Sequence, residues 1–522
     1  MRLVPRRYQQ EIIESIASNG NTLVVLPTGL GKTLIALALI ERAKGKCLFL
    51  TPTKPLAKQH SSTIPDILGE IEGGSALVTG ESPPKKRAQL YENKVISSTP
   101  QTIRNDIQKG IFPKEEVSLA VFDEAHRAVG EYAYVEIAQN LPETTLIVAL
   151  TASPGGDRTK IKEVLSNLHI SNIEIRSQGD PDVAPYMKKM DYNWVPVELS
   201  DEYSKAKDEL SIFVKKYAQL LQSSGVRPQL FSKKAFLAQR QRLFNMSHPS
   251  RFRLIYLYSC LLHALHIQEL LETQGRVPVF KYLEKLSGAD SKSARAVSQS
   301  PEMRRILSLL ESGNEHPKML KLLSLLDSLK AKKAIVFVQY RAQISQIVSE
   351  LGKAGHTARP FMGKREDFTR KMQEETMEAF RNGEFDVLVA SSIGEEGLDI
   401  PEVDSVIFYE PIPSEIRSIQ RRGRAGRFKE GSVYVLMTKS TRDEYYYWAA
   451  RKKEKKMKEI LLSFQKELRA GKTLSEVLAK GEKKASKAKA ARKAPAKEKA
   501  KRGKVPPQEE RKVGQNSITD FF

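Results

Sequence analysis

Two blocks of the chain alternate short, β-rich apolar runs with amphipathic helical patterns, and this alternation constrains the fold most strongly. Strands that alternate with helices form parallel sheets covered by helices on both faces. The first block lies within residues 21–153 and the second within residues 334–438. The apolar runs are, in chain order, TLVVL, CLFLTP, VISSTP, LAVFDE, TLIVALTAS, AIVFVQY, DVLVASS, SVIFYEP and SVYVLMT. The sequence therefore predicts an α/β protein with two tandem parallel-sheet domains.

Between the two blocks, residues 199–329 lose the strand signal. Leu, Ile, Phe and Tyr recur there at steps of three and four residues, which is typical of amphipathic helices. We expect an all-helical insert. It carries basic clusters, although any single cation could equally lie on a solvated helix face. These cations are Lys233, Lys234, Arg240 and Arg242.

The remainder of the chain is basic. Lys and Arg number 85 against 62 Asp and Glu, and residues 451–522 alone contain 23 Lys and Arg against 9 Asp and Glu. This excess makes a polyanion the first partner to consider. From about residue 481 the composition falls to Lys, Ala, Pro and Gly, which bury too little apolar surface to offset ordering entropy. We expect that tail to be disordered.

Other protein classes are disfavoured. Cys47 and Cys260 are too few and too far apart for a disulfide framework or a zinc cluster. The N-terminus lacks the apolar core of a signal peptide, and the apolar run 254–265 is too short to span a bilayer. We expect a soluble protein of the cytosol.

The segment PTGLGKT, residues 27–33, follows one predicted strand and opens a helix. A glycine-containing turn at a helix N-terminus presents N–H groups to a phosphate chain. Lys32 would then reach the β and γ phosphates and Thr33 would hold Mg²⁺. Leu26 stands where the full eight-residue pattern has Gly. An accidental turn is disfavoured by the flanking strand and helix.

The segment LAVFDEAH, residues 119–126, ends a predicted strand in Asp123 and Glu124. One carboxylate can hold Mg²⁺ and the second can act as general base on the attacking water. Two acids after a strand are often only a helix N-terminus. Together with the phosphate loop, they predict a nucleotide hydrolase.

The segment IQRRGRAGR, residues 419–427, lies in the second α/β block. Phosphoryl transfer is accelerated by guanidinium groups that reach the γ phosphate when a site assembles. A flexible RNA-binding segment is the competing interpretation. Its position inside a folded domain argues against that alternative.

With these motifs the chain resembles the superfamily 2 helicases over nearly all of residues 1–450. The phrases TPTKPLAKQH, FDEAHRAVGEYAY and GEEGLDIPEVD are similar to the archaeal Hef helicase and the Fanconi anaemia group M translocase. The resemblance implies two RecA-like domains, an insert that binds branched DNA, movement from 3′ to 5′ and a nucleoid-associated setting in a prokaryotic or archaeal cytoplasm. The motifs occur in the order RYQQ, PTGLGKT, TPTKPLAKQH, STPQTI, DEAH, TASPG, IVFVQYR, SSIGEEGLDIP and QRRGRAGR.

The resemblance also assigns roles for the cofactors ATP and Mg²⁺. The catalytic set that it implies is Lys32, Asp123, Glu124, Gln420, Arg424 and Arg427, the last two as arginine fingers. The nucleotide site that it implies is Gln9 (for adenine), Leu26, Pro27, Thr28, Gly29, Leu30, Gly31, Lys32 and Thr33, with Gly397 and Asp399 from the second domain and Thr33 and Asp123 on the metal. Candidate strand contacts, which could also simply cap turns, are Thr53, Lys54, Thr99, Thr151, Gln339 and Thr441.

The C-terminal sequence GQNSITDFF resembles the peptide that binds the PCNA sliding clamp. The matching positions are Gln515, Ile518, Phe521 and Phe522. A helical turn would place the three apolar side chains on one side. A chance hydrophobic terminus is the alternative, since short motifs produce false positives.

Hef proteins commonly continue into a nuclease with a Glu-Arg-Lys site. Residues 510–512 spell that triplet, but they stand in polar tail without a strand pattern. We expect no nuclease activity from them, and we interpret the clamp peptide as the natural end of the chain. The patterns give these expected units: 1–198, ATP-binding domain; 199–329, insert; 330–450, second domain; 451–480, basic helix; 481–514, linker; 515–522, clamp peptide.

The leading hypothesis is an ATP-dependent DNA helicase or translocase for forked or branched DNA in replication restart and repair, tethered to the clamp. An RNA helicase or an ATPase stimulated by double-stranded RNA is the second hypothesis, because such enzymes share these motifs. A clamp-tethered DNA-binding scaffold without turnover is the third. The intact phosphate loop and acidic pair argue against the scaffold.

Overall fold

The structure is a computed structural model. It describes residues 3–177, 179–186, 191–228, 250–329, 333–363, 368–391, 403–411 and 432–478, and isolated positions between 229 and 249. The expected linker 481–514 and clamp peptide 515–522 lie outside the described residues, as do the triplet 510–512 and Lys233, Lys234 and Arg240.

The first domain is built on a parallel sheet with the strand order β3-β4-β2-β5-β6-β1-β7. Its strands are β1 Thr22–Val25, β2 Lys46–Leu50, β3 Ser75–Val78, β4 Val95–Ser98, β5 Val117–Phe122, β6 Leu146–Thr151 and β7 Asn172–Ile175. Its helices are α1 Arg7–Asn19, α2 Lys32–Arg42, α3 Lys54–Leu68, α4 Pro84–Leu90, α5 Pro100–Gln108, α6 Ala133–Asn140 and α7 Arg158–Asn167. Two apolar cores lie on opposite faces of this sheet.

The order of the strands determines where the motifs meet. Strand β6 lies between β5 and β1, and all three run parallel. The carboxyl ends of parallel strands lie at the same edge of a sheet, where ligands bind. The segments that follow β1, β5 and β6 therefore gather at one edge.

The insert is helical, as predicted. Its described helices are α8 Asp201–Ser223, α9 Arg251–Thr273, α10 Arg276–Ser287, α11 Lys292–Ser298 and α12 Pro301–Glu311. They enclose an apolar core of their own. Helix α9 is long and apolar enough to cross a membrane by length and composition, but 67% of its most apolar window is buried inside the protein. It is the central helix of the insert core.

The second domain has a parallel sheet with the order β10-β11-β9-β12-β13-β8. Its strands are β8 Asp191–Val197, β9 Ala334–Phe337, β10 Ala358–Phe361, β11 Val387–Ala390, β12 Ser405–Phe408 and β13 Ser432–Thr438. Its helices are α13 Pro317–Leu329, α14 Arg341–Lys353 and α15 Arg370–Asn382. The prediction of two parallel-sheet domains with a helical insert is confirmed.

Two expected boundaries need correction. Strand β8 pairs with β13 in the second sheet, so the boundary at residue 198 cuts β8 away from its own sheet. Helix α13 places Met319, Leu322 and Leu326 in the core of the second domain, although it falls in the expected insert. A chain that leaves one sheet and returns to it after an insert gives no local signal of its pairing partner.

A third correction concerns the last described helix, α16 Arg442–Arg469. It begins nine residues before the expected basic helix at 451. Its second half packs Met457, Ile460, Leu461 and Phe464 into the core of the first domain. One helix thus starts directly after β13 and ends against the first sheet.

Candidate nucleotide-binding site

The loop between β1 and α2 has the geometry of a phosphate-binding turn. Gly29 and Gly31 have φ values of 86° and 68°, in the left-handed region that favours glycine. Gly31 is the N-cap of α2, so the helix N-terminus and its partial positive charge face the loop. A Cβ added to Gly31 would lie 2.5 Å from Nε2 of Gln9. The backbone conformation and the close approach of Gln9 therefore both favour glycine at this position.

Gln9 is buried and braces this loop. Its Nε2 donates to the carbonyl oxygens of Leu30 at 3.1 Å and Gly31 at 3.4 Å. Its Oε1 accepts from the backbone N–H of Arg6 at 2.8 Å. The hydroxyl of Tyr8 donates to the same Leu30 oxygen at 2.8 Å. The side-chain amide of Gln9, which was expected to bind adenine, therefore also holds the phosphate loop in place.

Lys32 lies over the same loop. Its Nζ donates to the carbonyl oxygens of Leu26 at 3.0 Å and Pro27 at 3.5 Å. The backbone N–H of Leu26 in turn donates to the Thr151 carbonyl at 3.1 Å. The loop is thus tied to the end of β6, and an ammonium group is held beside the turn.

The acidic pair follows β5 at the same edge. The backbone N–H of Asp123 donates to Leu50 O at 2.9 Å, which extends the pairing of β5 with β2 by one residue. Asp123 Oδ1 accepts from the backbone N–H of Glu124 at 3.0 Å. Glu124 has a φ of 49°, a left-handed conformation that is uncommon outside glycine and that clusters at functional sites. The two carboxylates of this turn have different neighbours, His60 for Asp123 and His126 for Glu124.

Two histidines, which sequence analysis did not assign, contact this pair. His60 Nε2 lies 3.7 Å from Asp123 Oδ2, and His60 is stacked on Phe49. His126 Nδ1 lies 3.3 Å from Glu124 Oε2. Both belong to segments that carried the resemblance, TPTKPLAKQH and DEAH. The motif spelling was a signal for them, but the pairing required the folded structure.

His126 also connects the acidic pair to the next strand. Its Nδ1 lies 3.3 Å from Oγ1 of Thr151, at the end of β6. Thr151 is buried, and its hydroxyl donates to Ser153 O at 3.2 Å and accepts from the Ser153 N–H at 3.1 Å. A chain of contacts therefore runs from Glu124 through His126 to the loop after β6.

The other candidate strand contacts of the first domain lie at the starts of helices. Thr53 precedes α3, and its buried Oγ1 has no hydrogen-bond partner within the described residues. Lys54 forms an ion pair with Glu81. Thr99 precedes α5, and its hydroxyl lies 2.9 Å from that of Thr102.

The two candidates in the second domain differ from each other. Gln339 is exposed, and its backbone N–H donates to Glu410. Thr441 is buried and caps α16: its hydroxyl donates to Thr438 O at 2.8 Å and accepts from the Asp443 N–H at 3.3 Å. Thr441 therefore acts as a helix cap, which was the alternative to a strand contact at this position.

The second half of the expected ATP site falls on residues outside the described part of the chain. These are Gly397, Asp399, Gln420, Arg424 and Arg427. Their assignments stay predictions.

The donor set at the edge of the first sheet fits a nucleotide with its metal. Within the described residues, no group of three or more His, Cys, Asp or Glu side chains could hold a metal ion alone. A hydroxyl and a carboxylate, as on Thr33 and Asp123, suit Mg²⁺ when phosphate oxygens and water supply the other ligands. The residues therefore fit Mg²⁺ bound together with a nucleotide.

The two domains correspond to known families. Residues 6–161 match the DEAD/DEAH box helicase family, and residues 317–429 match the helicase conserved C-terminal domain. The chain belongs to the superfamily 2 helicases with a DEAD/DEAH box domain. Its structure is similar to the crystal structure of the Pyrococcus furiosus Hef helicase domain, with a TM-score of 0.66 and 42% identity over 85% of this chain and 98% of that one.

Curated relatives give a similar result. A Methanocaldococcus jannaschii protein, named provisionally as an ATP-dependent RNA helicase, is 37% identical over 87% of this chain and 60% of its own length. The ATP-dependent DNA helicase fml1 of Schizosaccharomyces pombe is 34% identical over 83% of this chain and 57% of its own length. The chain spans about three-fifths of the length of both. The expected kinship with the Hef and group M helicases is confirmed.

Proposed function

We propose that this protein is an ATP-driven DNA helicase or translocase that moves 3′ to 5′ and acts on forked or branched DNA. The observation that carries the proposal is one edge of the first sheet. There the phosphate loop, the Asp123–Glu124 turn and the loop after β6 meet through Leu26 and His126. Such an edge is the usual ligand site of an open parallel sheet.

The residues have distinct tasks in this proposal. Lys32 and the N-terminus of α2 bind the β and γ phosphates, and Thr33 and Asp123 hold the metal. Glu124 orients the attacking water and accepts its proton, while His126 fixes the Glu124 carboxylate. Bound Mg²⁺ supplies neutralisation of the phosphate charge. Gln9 keeps the loop in its binding shape and contacts the adenine edge.

The charge of the insert supports nucleic acid as the substrate. Residues 210–268 contain nine Lys and Arg and no Asp or Glu. At the start of α9, Phe252 is 73% exposed and the Arg251 guanidinium lies 4.8 Å from its ring centroid. Exposed aromatic rings beside cations bind bases and phosphates together. We assign Arg251 and Phe252, at the start of α9, to contacts with the branched end of the DNA.

An RNA helicase is the second candidate, because the Methanocaldococcus jannaschii relative carries that name. DNA is favoured by the names of other relatives and by the expected clamp peptide. A sliding clamp encircles DNA and serves no purpose for an RNA motor. Replacement of Phe521 and Phe522 by Ala should abolish clamp binding and leave ATP hydrolysis intact. Retained clamp binding would remove this support.

The direct test of the ATP site is hydrolysis by the Lys32→Ala variant. Steady-state hydrolysis stimulated by forked DNA should fall at least a hundredfold, whereas fork binding without nucleotide should persist. The matched control is Lys44→Ala, an exchange of the same type just beyond α2, which should hydrolyse ATP normally. Unchanged hydrolysis in Lys32→Ala would show that the site lies elsewhere.

A further inference from the structure

Helix α16 carries aromatic and basic side chains on the face opposite to its buried residues. Tyr445, Trp448, Lys452 and Lys455 follow one another at helical steps of three, four and three residues, and all are exposed. At a rise of about 1.5 Å per residue they form a row about 15 Å long. We call these four residues the aromatic stripe.

The aromatic surface extends beyond the helix onto the edge of the second sheet. Tyr447 lies between Trp194 of β8 and Trp448, with ring-centroid distances of 3.8 Å and 4.9 Å. Trp194 is 37% exposed, Tyr445 45% and Trp448 57%. Large exposed aromatic side chains that lie together mark binding surfaces in soluble proteins. None of these rings belongs to the nucleotide site.

Cations lie beside the rings. The Arg451 guanidinium lies 5.6 Å from the centroid of the Tyr447 ring. Lys452, Lys455 and Lys456 are exposed and form no ion pair within the described part of the chain, whereas Lys458 of the same helix pairs with Asp180. Cations without acidic partners beside exposed rings complement a strand that offers phosphates and unstacked bases together. A purely apolar protein surface would leave these lysines unmatched.

We propose that the aromatic stripe, with Trp194 and Tyr447 beside it, binds single-stranded nucleic acid. Bases would stack on Trp448 and Tyr445, and phosphates would lie along Lys452, Lys455 and Arg451. None of the stripe residues is among the positions predicted to contact the translocating strand, although one of those positions, Thr441, caps the same helix. The inference shares with the proposed function only the premise that the chain binds nucleic acid.

The chain has an internal probe for this surface. It contains two tryptophans, and both lie in the patch. Tryptophan emission from the full chain should therefore be quenched when oligo(dT) stacks on them. An abasic strand of the same length keeps the phosphates but lacks the bases, so it should quench much less. Oligo(rU) tested in parallel shows whether the strand is DNA or RNA.

Substitutions in the aromatic stripe test whether it is the surface that binds the strand. Trp448→Ala should weaken binding of fluorescently labelled oligo(dT) about tenfold, within the range expected for one stacked base. Trp448→Phe should restore most of the affinity. The double variant Lys452→Ala, Lys455→Ala should reduce the salt dependence of binding. Lys466→Ala, an exposed lysine of the same helix, should bind as the unmodified chain does.

Three results would overturn the inference: unchanged emission when labelled oligo(dT) is fully bound, equal quenching by the abasic strand, or normal affinity of Trp448→Ala. An emission change that depends on protein concentration alone would assign the stripe to self-association instead. ATP hydrolysis without DNA should be the same in the stripe variants as in the unmodified chain. Loss of that activity in the Lys32→Ala variant would still support the proposed function even if the stripe fails.

Discussion

The hydroxyl of Ser153 donates a hydrogen bond to the sulfur of Met457, with an Oγ–Sδ distance of 3.0 Å. Ser153 follows β6 in the first domain, and Met457 lies in α16, 304 residues further along the chain. The contact joins the loop next to the nucleotide site to the helix that emerges from the second sheet. The helix therefore contacts both domains.

The packing of Met457 gives a first prediction. Met457→Ala should lower the free energy of unfolding by about 3 kcal/mol, because a buried side chain is lost and a cavity remains. Urea denaturation followed by circular dichroism measures the change. Leu462→Ala is the matched control, since Leu462 is an exposed apolar residue of the same helix and should change the free energy by less than about 0.5 kcal/mol. Equal effects of the two variants would contradict the described packing.

A buried ion pair joins α13 to α16. Lys318 and Asp443 are both fully buried and form a salt bridge, and Lys318 Nζ also donates to Thr273 O of α9 at 3.3 Å. Lys318→Met should destabilise the protein by about 3–5 kcal/mol, because it leaves the Asp443 carboxylate buried without its partner. Adding Asp443→Asn should recover part of the loss.

Thermal unfolding of the two single variants and the double variant forms a double-mutant cycle. Burial raises the pKa of Asp443, so in Lys318→Met this carboxyl group can relieve the loss of its partner by binding a proton. The loss in free energy of unfolding caused by Lys318→Met should therefore be smaller at acidic pH. Additive effects of the two substitutions would show that the pair is not coupled.

Glu410 predicts a specific pH dependence. Burial raises the pKa of Glu410 to about 7, while the charge of Lys318 opposes the shift and that of Asp443 adds to it. A carboxyl group with a raised pKa binds its proton more tightly in the folded state. Its contribution to stability is therefore fully present below its ordinary pKa of 4.5 and is lost as the pH rises to about 7.

Glu410→Gln removes this titration, so the variant should gain stability relative to the unmodified chain between pH 5 and pH 8. The expected gain is on the order of 3 kcal/mol. The pKa of buried His316 is lowered from 6.5 to about 3, chiefly by burial, so its contribution to stability grows as the pH rises from about 3 to 6.5 and is constant above that. His316 is present in both proteins, so the difference between them isolates Glu410. A difference independent of pH would contradict this account.

The general-base role of Glu124 is also testable. Glu124→Gln keeps the shape of the side chain but cannot accept a proton, so the rate of ATP hydrolysis should fall 10²- to 10⁴-fold, the usual contribution of a general base. ATP binding, measured by equilibrium titration, should be nearly unchanged. The His126→Ala variant keeps the base and loses only its positioning, so it should show a smaller decrease. A variant with full turnover would exclude Glu124 as the base.

The sequence predicted most of the strands of both sheets, because parallel strands buried on both faces appear as continuous apolar runs. Strand β8 was missed as a member of the second sheet, since DYNWVPV is partly polar and its partner β13 is more than 200 residues away. The course of α16 was also missed. Nothing in the local sequence indicates that the later apolar residues of this helix pack on a distant domain.

The candidate site was predictable where backbone geometry is encoded in the residue type. The glycines of the phosphate loop and the acidic pair after β5 are of this kind. Side-chain partners were less predictable, because His60 and His126 reach Asp123 and Glu124 only after β2, β5 and β6 have been aligned. Gln9 was assigned to adenine, and its bracing of the loop is a contact between α1 and the loop after β1 that no spacing rule indicates.

The central claim is that ATP hydrolysis by this chain is coupled to DNA. The most direct measurement is one panel of ATP hydrolysis and strand displacement with single-stranded DNA, a fork, a four-way junction and double-stranded RNA, using the unmodified chain and Lys32→Ala. We expect forks and junctions to stimulate hydrolysis most and their strands to be displaced, and we expect Lys32→Ala to show neither stimulated hydrolysis nor strand displacement. Equal or greater stimulation by double-stranded RNA would contradict it.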